Sequence, residues 1–71
     1  MLTYRDQRTG EIYRAVKGPY GDLGAIITKE CDDAEWAFGG EGNGPFASRE
    51  VAEKVLRDRA KRFHWEEIKD D

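Results

Sequence analysis

The chain has 71 residues, 38% of them charged, and a formal net charge of −3 at pH 7. This length predicts one domain, residues 1–71, with a modest core, because short chains bury a small share of their surface. A single cysteine, Cys31, excludes an intrachain disulfide, and together with the only histidine, His64, it falls short of the roughly four ligands of a structural zinc site. We therefore expect neither a metal nor another cofactor.

The apolar residues and the cysteine content predict a cytoplasmic protein that does not enter membranes. No apolar run approaches the roughly 20 residues that span a bilayer. The first residues lack the apolar core of a signal peptide. A lone cysteine is typical of a reducing compartment.

The N-terminal part is patterned as a β-hairpin. Strands are predicted at 2–7 and 11–17, separated by a short glycine-containing loop. A three-residue loop places Tyr4 on the face of Ile12, whereas a two- or four-residue loop places it on the face of Tyr13. Because a shift of one residue exchanges the faces, the register stays open.

Two further strands and one helix are predicted downstream. Apolar runs predict strands at 23–29 and 35–38. Apolar residues repeat with a helical period over 48–64, and Ser48 is the expected N-cap. Residues 66–71 are expected to form an acidic tail, frayed at its last two residues.

This order predicts an α+β fold, in which a three- or four-stranded antiparallel meander is followed by a C-terminal helix on one sheet face. A turn cluster at 18–22 connects the second and third strands. The opposite sheet face is expected to stay open. The expected core comprises Leu2, Tyr4, Ile12, Val16, Ile26, Trp36, Phe38, Val51, Val55, Leu56 and Phe63.

The glycine-rich loop Gly39–Gly44 precedes the helix, where backbone N–H groups can bind phosphate. Its glycine spacing matches neither a dinucleotide fingerprint nor a P-loop, and Glu41 would repel an anion. We interpret the loop as a flexible or tightly turning connection into the helix, with anion binding as the alternative.

The helix carries half of the Lys and Arg residues of the chain and has a net charge of +3 over 48–64. An outward stripe could follow nucleic-acid phosphates. It comprises Lys54, Arg57, Lys61 and His64. Three acid–base pairs in the favourable i, i+4 order would partly cancel it. These pairs are Glu50–Lys54, Glu53–Arg57 and Asp58–Arg62.

Arg59 projects from the apolar side of the predicted helix, between Val55 and Phe63. A guanidinium there must reach an acceptor or extend along its stem to solvent. The alternative is that this part of the helix meets another chain.

The middle of the chain is acidic, with a net charge of −4 over 23–47. An acidic patch there would bind a basic partner and speed encounter. Its residues are Glu30, Asp32, Asp33, Glu35 and Glu41. Catalysis by Cys31 and His64 lacks an orienting third group, so we do not predict an enzyme.

We therefore hypothesise a small regulatory protein-binding module without catalysis, of the kind that phage-encoded inhibitors exemplify, which occupies a basic site with its acidic surface. The alternative is a nucleic-acid-binding domain that uses the open sheet face through Arg5 and Tyr13, or the helix through Lys54, Arg57 and Lys61. A homodimer is a further alternative, because small scaffolds often gain stability from a second subunit.

Overall fold

The computed structural model describes residues 2–18 and 22–69. Along the chain it contains β1 (Thr3–Arg5), β2 (Ile12–Lys17), β3 (Gly24–Lys29), β4 (Ala37–Phe38), α1 (Arg49–Phe63) and β5 (Glu66–Ile68). The strands form one antiparallel sheet in the order β4-β3-β2-β1-β5, and α1 packs on β2 and β3. The predicted α+β class, with one helix on one sheet face, is confirmed. Most of the turn expected at 18–22 and the expected fraying of 70–71 lie outside the described residues.

A fifth strand replaces most of the predicted acidic tail, so the expected limit of four strands is wrong. In β5, Ile68 pairs with Thr3 and Glu66 pairs with Arg5, which extends the sheet beyond β1. The chain reverses at His64, which adopts a left-handed conformation with φ 59° and ψ 42°. This reversal brings a segment with little strand character of its own against the free edge of β1.

The ends of α1 are set by local hydrogen bonds. Ser48 is the N-cap, as predicted, and its Oγ accepts a hydrogen bond from the Val51 N–H at 3.2 Å. At the other end, the Trp65 N–H donates to the Ala60 carbonyl at 2.9 Å, a closing bond that usually accompanies a left-handed residue. The Trp65 ring is thereby directed back onto the sheet.

The β1–β2 hairpin has a four-residue loop, so the register based on a three-residue loop is wrong. Tyr4 pairs with Tyr13, and the Asp6 N–H donates to the Glu11 carbonyl at 2.8 Å. The Asp6 carboxylate accepts a hydrogen bond from the Arg8 N–H at 2.9 Å. Such a side-chain bond two residues along the chain stabilises a turn, so Asp6 favours the longer loop.

The core between α1 and the sheet is built from small residues and two large ones. Its buried cluster comprises Ala15, Ile26, Ala52 and Leu56. The alanines bring α1 close to the sheet, so that residues on the flanks of the helix remain outside. Two predicted core residues of α1, Val51 and Phe63, are therefore exposed. A third, Phe38, is exposed because it lies on the sheet face that points away from α1.

The start of α1 crosses β3 at Gly24 with almost no space between the backbones. Gly24 and Phe46 exchange two backbone hydrogen bonds, of 3.0 Å and 2.8 Å. A Cβ atom at Gly24 would lie 2.2 Å from the Ser48 carbonyl oxygen, which is far inside van der Waals contact. Only glycine lets the helix begin at this point.

We expect Gly24→Ala to lower the free energy of unfolding by about 3 kcal/mol, because the methyl group must displace backbone rather than a side chain. Gly10→Ala is the matched control: Gly10 has φ 83° and open space around its Cβ position. Placing alanine at this positive φ should lower the free energy of unfolding by about 1 kcal/mol. Urea unfolding followed by circular dichroism measures both, and equal losses would contradict the steric argument.

The Thr28 hydroxyl is buried without a hydrogen-bond partner among the described residues. Replacement by the near-isosteric Thr28→Val should raise the free energy of unfolding by about 1 kcal/mol, since an unsatisfied buried hydroxyl is costly. Thr3→Val is the control, because the Thr3 Oγ1 accepts a hydrogen bond from Arg14 Nε at 2.9 Å and its loss should destabilise the fold. Thermal unfolding compares the two, and a lower midpoint for Thr28→Val would refute the prediction.

Candidate functional site

The sheet has a second face that α1 does not cover, which we call the helix-free face. Successive side chains of a strand point to opposite faces. Because Ala15 and Ile26 pack against α1, their neighbours along β2 and β3 point away from it. The strand residues of the helix-free face are Thr3, Arg5, Ile12, Arg14, Val16, Ala25, Ile27, Lys29, Phe38, Glu66 and Ile68.

An apolar groove of about 580 Å³ lies on this face. It is lined by Val16, Gly18, Leu23, Gly24, Ala25, Ile27, Phe38 and Pro45. Phe38 is 55% exposed and Leu23 is 37% exposed, so apolar surface at the groove is open to solvent. Exposed apolar surface of this kind marks interaction sites in many proteins.

A cationic rim borders the apolar groove. The Arg14 guanidinium lies 4.6 Å from the centroid of the Trp36 ring, and the Lys29 ammonium lies 4.8 Å from it. Arg14 pairs with Ile27 across β2 and β3, and Lys29 follows Ile27 by two residues on the same face. The rim therefore adjoins the groove directly. Ile12 pairs with Lys29 at the rim and is only 2% exposed, so other side chains cover this end of the helix-free face.

The predicted acidic residues occupy two different loops. Glu30, Asp32, Asp33 and Glu35 lie in the turn between β3 and β4, and Glu41 lies in the glycine loop; all five are exposed. Asp32 forms an ion pair with Arg5 at 2.9 Å, and its main-chain carbonyl accepts a hydrogen bond from Lys29 at 3.1 Å. Asp32 therefore helps to hold the turn against the sheet.

Tyr13 and Arg5 lie on opposite faces of the sheet, so the expected aromatic–cationic pair on the open face is wrong. Tyr13 stacks on Trp65, with ring centroids 4.4 Å apart and planes 2° from parallel. Burial raises the pKa of Tyr13 above its usual value, and the nearby Glu11 and Asp6 raise it further. The four-residue hairpin loop is the cause, because it moves Tyr13 to the helix side.

The aromatic residues of the helix-free face are instead Trp36 and Phe38. The sequence contained a signal for them, since two aromatics spaced by one residue in a strand face the same side. The expected core contains both residues, whereas the structure places them on the helix-free face. Their position on a short edge strand, facing away from the only helix, leaves Phe38 exposed.

The predicted cationic stripe lies on the surface of α1, where Lys54, Arg57 and Lys61 are exposed. The three predicted i, i+4 ion pairs do not form. In the described part of the chain, Arg5–Asp32 and Lys17–Asp22 are ion pairs within 4 Å, and none joins two residues of α1. The stripe is therefore less compensated than the sequence suggested.

Arg59 connects α1 to the glycine loop. Its guanidinium donates hydrogen bonds to the Asn43 side-chain oxygen and to the Gly42 carbonyl. Asn43 in turn donates from Nδ2 to the Gly39 carbonyl at 2.8 Å, and its own carbonyl accepts from the Ile26 N–H at 2.9 Å. The expected acceptor for Arg59 is thus present, and the glycine loop is held to both α1 and β3.

No family model, no curated protein and no solved structure matches the chain. Among the described residues, no helix combines the length and the apolar character needed to cross a bilayer. Within 2–18 and 22–69, no three His, Cys, Asp or Glu side chains come together as metal ligands.

The Arg59 contacts predict a stability difference between two conservative substitutions. Arg59→Lys should lower the free energy of unfolding by about 1–2 kcal/mol, because an ammonium cannot hold two acceptors in the same fork. Arg57→Lys, on the exposed side of α1, should change it by less than about 0.5 kcal/mol.

Chemical denaturation of both variants and of Asn43→Ala provides the measurement. Arg59→Lys and Asn43→Ala should be non-additive when combined, because the two side chains share a hydrogen bond. Strict additivity, or equal effects of Arg59→Lys and Arg57→Lys, would show that this connection does not stabilise the fold.

Proposed function

We propose that this chain is a small, non-catalytic, regulatory protein-binding module that binds its partner through the helix-free face. The observation that carries the proposal is the apolar groove, with Phe38 and Leu23 exposed on it. Burial of such surface is the main favourable contribution to most protein association. The groove and its rim offer contact surface, and the proposal assigns no residue to catalysis.

The composition around the groove also supports a protein interface. Aromatic residues and arginine are enriched in interface cores. Here Phe38 adjoins the groove while Trp36 is held by Arg14 and Lys29 at its rim. The sheet beneath is anchored by α1 on its other side, so the binding surface is built on regular structure.

The acidic turn is a second contact surface in this proposal. Glu30, Asp33 and Glu35 are exposed after β3 and are suited to a basic patch of a partner, as in an inhibitor that occupies a basic site. Charges at the edge of an interface change the encounter rate more than the affinity. We propose the cytoplasm as the compartment, since the exposed thiol of Cys31 suits a reducing environment.

Nucleic-acid binding is the second candidate function. Lys54, Arg57 and Lys61 favour it, because they are exposed without ion pairs to other residues of α1, and cations on one helix face can follow phosphates. The net charge of −3 counts against it, since nucleic-acid-binding domains are usually basic.

Site-specific photocrosslinking in the cells that encode the chain tests these alternatives together. A photoreactive phenylalanine analogue is placed singly at position 38 on the helix-free face, at 33 in the acidic turn and at 61 on α1. We expect discrete protein adducts from position 38 and weaker or no adducts from position 61. Circular dichroism of each purified variant checks that the fold is retained.

Each other result identifies a different surface. Protein adducts from position 33 alone would overturn the groove and favour the acidic turn. Nuclease-sensitive adducts from position 61 would favour nucleic-acid binding. Adducts to a second copy of the chain would indicate a homodimer instead.

A further inference from the structure

We propose that the helix-free face binds an acidic peptide segment, in which an apolar side chain fills the apolar groove and a nearby carboxylate meets the cationic rim. This inference rests on the proposed function and specifies the partner. It reverses the charge that the acidity of the whole chain would suggest for a partner.

The charge on the helix-free face differs in sign from that of the whole chain. Its strands present Arg5, Arg14 and Lys29 against Glu66, and the Asp32 carboxylate pairs with Arg5, so three cations meet two acids. The chain as a whole has a net charge of −3. The strands of this face therefore carry a small excess of positive charge, with the acidic turn beside them.

Lys29 is a rim cation whose ammonium contacts uncharged groups. Its ammonium donates a hydrogen bond to the Asp32 main-chain carbonyl and lies 4.8 Å from the Trp36 ring centroid. Both groups are uncharged, so they orient the ammonium without neutralising it. Arg5, by contrast, is already paired with the Asp32 carboxylate at 2.9 Å. Lys29 therefore keeps a positive charge for an incoming carboxylate.

The groove and the rim are close enough for one short peptide to contact both. Ile27 lines the groove, Arg14 pairs with it across the strands, and Lys29 lies two residues further along β3. Side chains two residues apart on one face of a strand are separated by about 7 Å. An extended peptide thus reaches the rim with an Asp or Glu one to three residues from its apolar anchor.

The shape of the groove favours a peptide over a fatty acid or a nucleic acid, which are the other ligands that carry negative charge together with apolar or aromatic groups. Leu23 and Phe38 both remain exposed, so covering them requires an occupant that spreads across the sheet face. A fatty acid offers a carboxylate and one narrow chain. A nucleic acid offers phosphates but no aliphatic side chains to fill an apolar groove. An acidic peptide with apolar anchors supplies both.

Selection from a displayed random-peptide library on the purified chain tests the proposal. We expect enriched sequences to carry Leu, Ile, Phe or Trp with Asp or Glu within three residues. Synthetic versions of these peptides are then titrated by fluorescence anisotropy. Binding should weaken as salt is raised, because the rim contact is electrostatic.

Three substitutions locate the binding site. Lys29→Gln, which keeps most of the side-chain stem, and Lys29→Glu should each raise the Kd of a selected peptide, the latter by tenfold or more. Phe38→Ala should raise it about tenfold through the groove. Lys61→Glu is the matched charge reversal on α1 and should leave the Kd unchanged. Circular dichroism confirms that each variant is folded.

The outcomes separate this inference from the proposed function. Enriched peptides that depend on Phe38 but are basic or uncharged would overturn the acidic partner and leave protein binding through this face intact. Failure to enrich any peptide, or binding insensitive to both Lys29 and Phe38, would overturn the inference, and the crosslinking at position 38 would then decide the proposed function alone. The proposal is supported if neither dodecanoate nor single-stranded DNA displaces a selected peptide. It is overturned if either of them binds more tightly than the selected peptides and loses that binding in Lys29→Glu.

Discussion

The close approach between the start of α1 and β3 determines the architecture of this small domain. Gly24 has no side chain, so the backbone at Ser48 can pass directly over it. Further along the interface, Ala15 of β2 and Ala52 of α1 are buried in the core cluster, and their small side chains keep the helix close to the sheet. A helix seated this tightly gives a 71-residue chain a compact core, and it leaves the large apolar residues beyond its edges to find other partners.

Those residues then divide between the two sides of the sheet. Trp65 turns back over the helix side and stacks on Tyr13. Trp36 lies on the other side, against Arg14 and Lys29. Each tryptophan thus shields one side of the strands near the end of the sheet where α1 finishes. At the opposite end the helix-free face has no such cover, and the apolar groove opens there.

The sequence predicted the features that are determined locally. The helix, its N-cap at Ser48 and the α+β class follow from a helical apolar period and from side chains that bond to their own backbone neighbours. The hairpin register depended on the hydrogen bond from the Arg8 N–H to the Asp6 carboxylate, which favours the four-residue loop. This bond has no counterpart in the hydrophobic periodicity of the sequence, so the pattern does not reveal the loop length. The β5 strand depended on a reversal at His64, where a residue other than glycine takes a positive φ, which is uncommon.

The same limits apply to the candidate site. A shift of one residue in the hairpin register moves Tyr13 from the predicted open face to the helix side, where it stacks on Trp65. Trp36 and Phe38 had the spacing of a shared face, but spacing alone does not reveal which face a helix will cover. Alanines contribute little to a hydrophobic pattern, yet Ala15 and Ala52 are fully buried between the sheet and α1.

The edges of the sheet have a consequence for how any partner is engaged. On one side, β4 has only two residues; on the other, β5 is short and presents Glu66 and Glu67. A very short edge strand, as at β4, and charged side chains, as at β5, each discourage the backbone pairing by which strands of separate molecules add to one another. Recognition by strand addition is therefore disfavoured at both borders. These edges thus disfavour polymerisation by strand pairing, while Leu23 and Phe38 on the broad side of the sheet remain exposed.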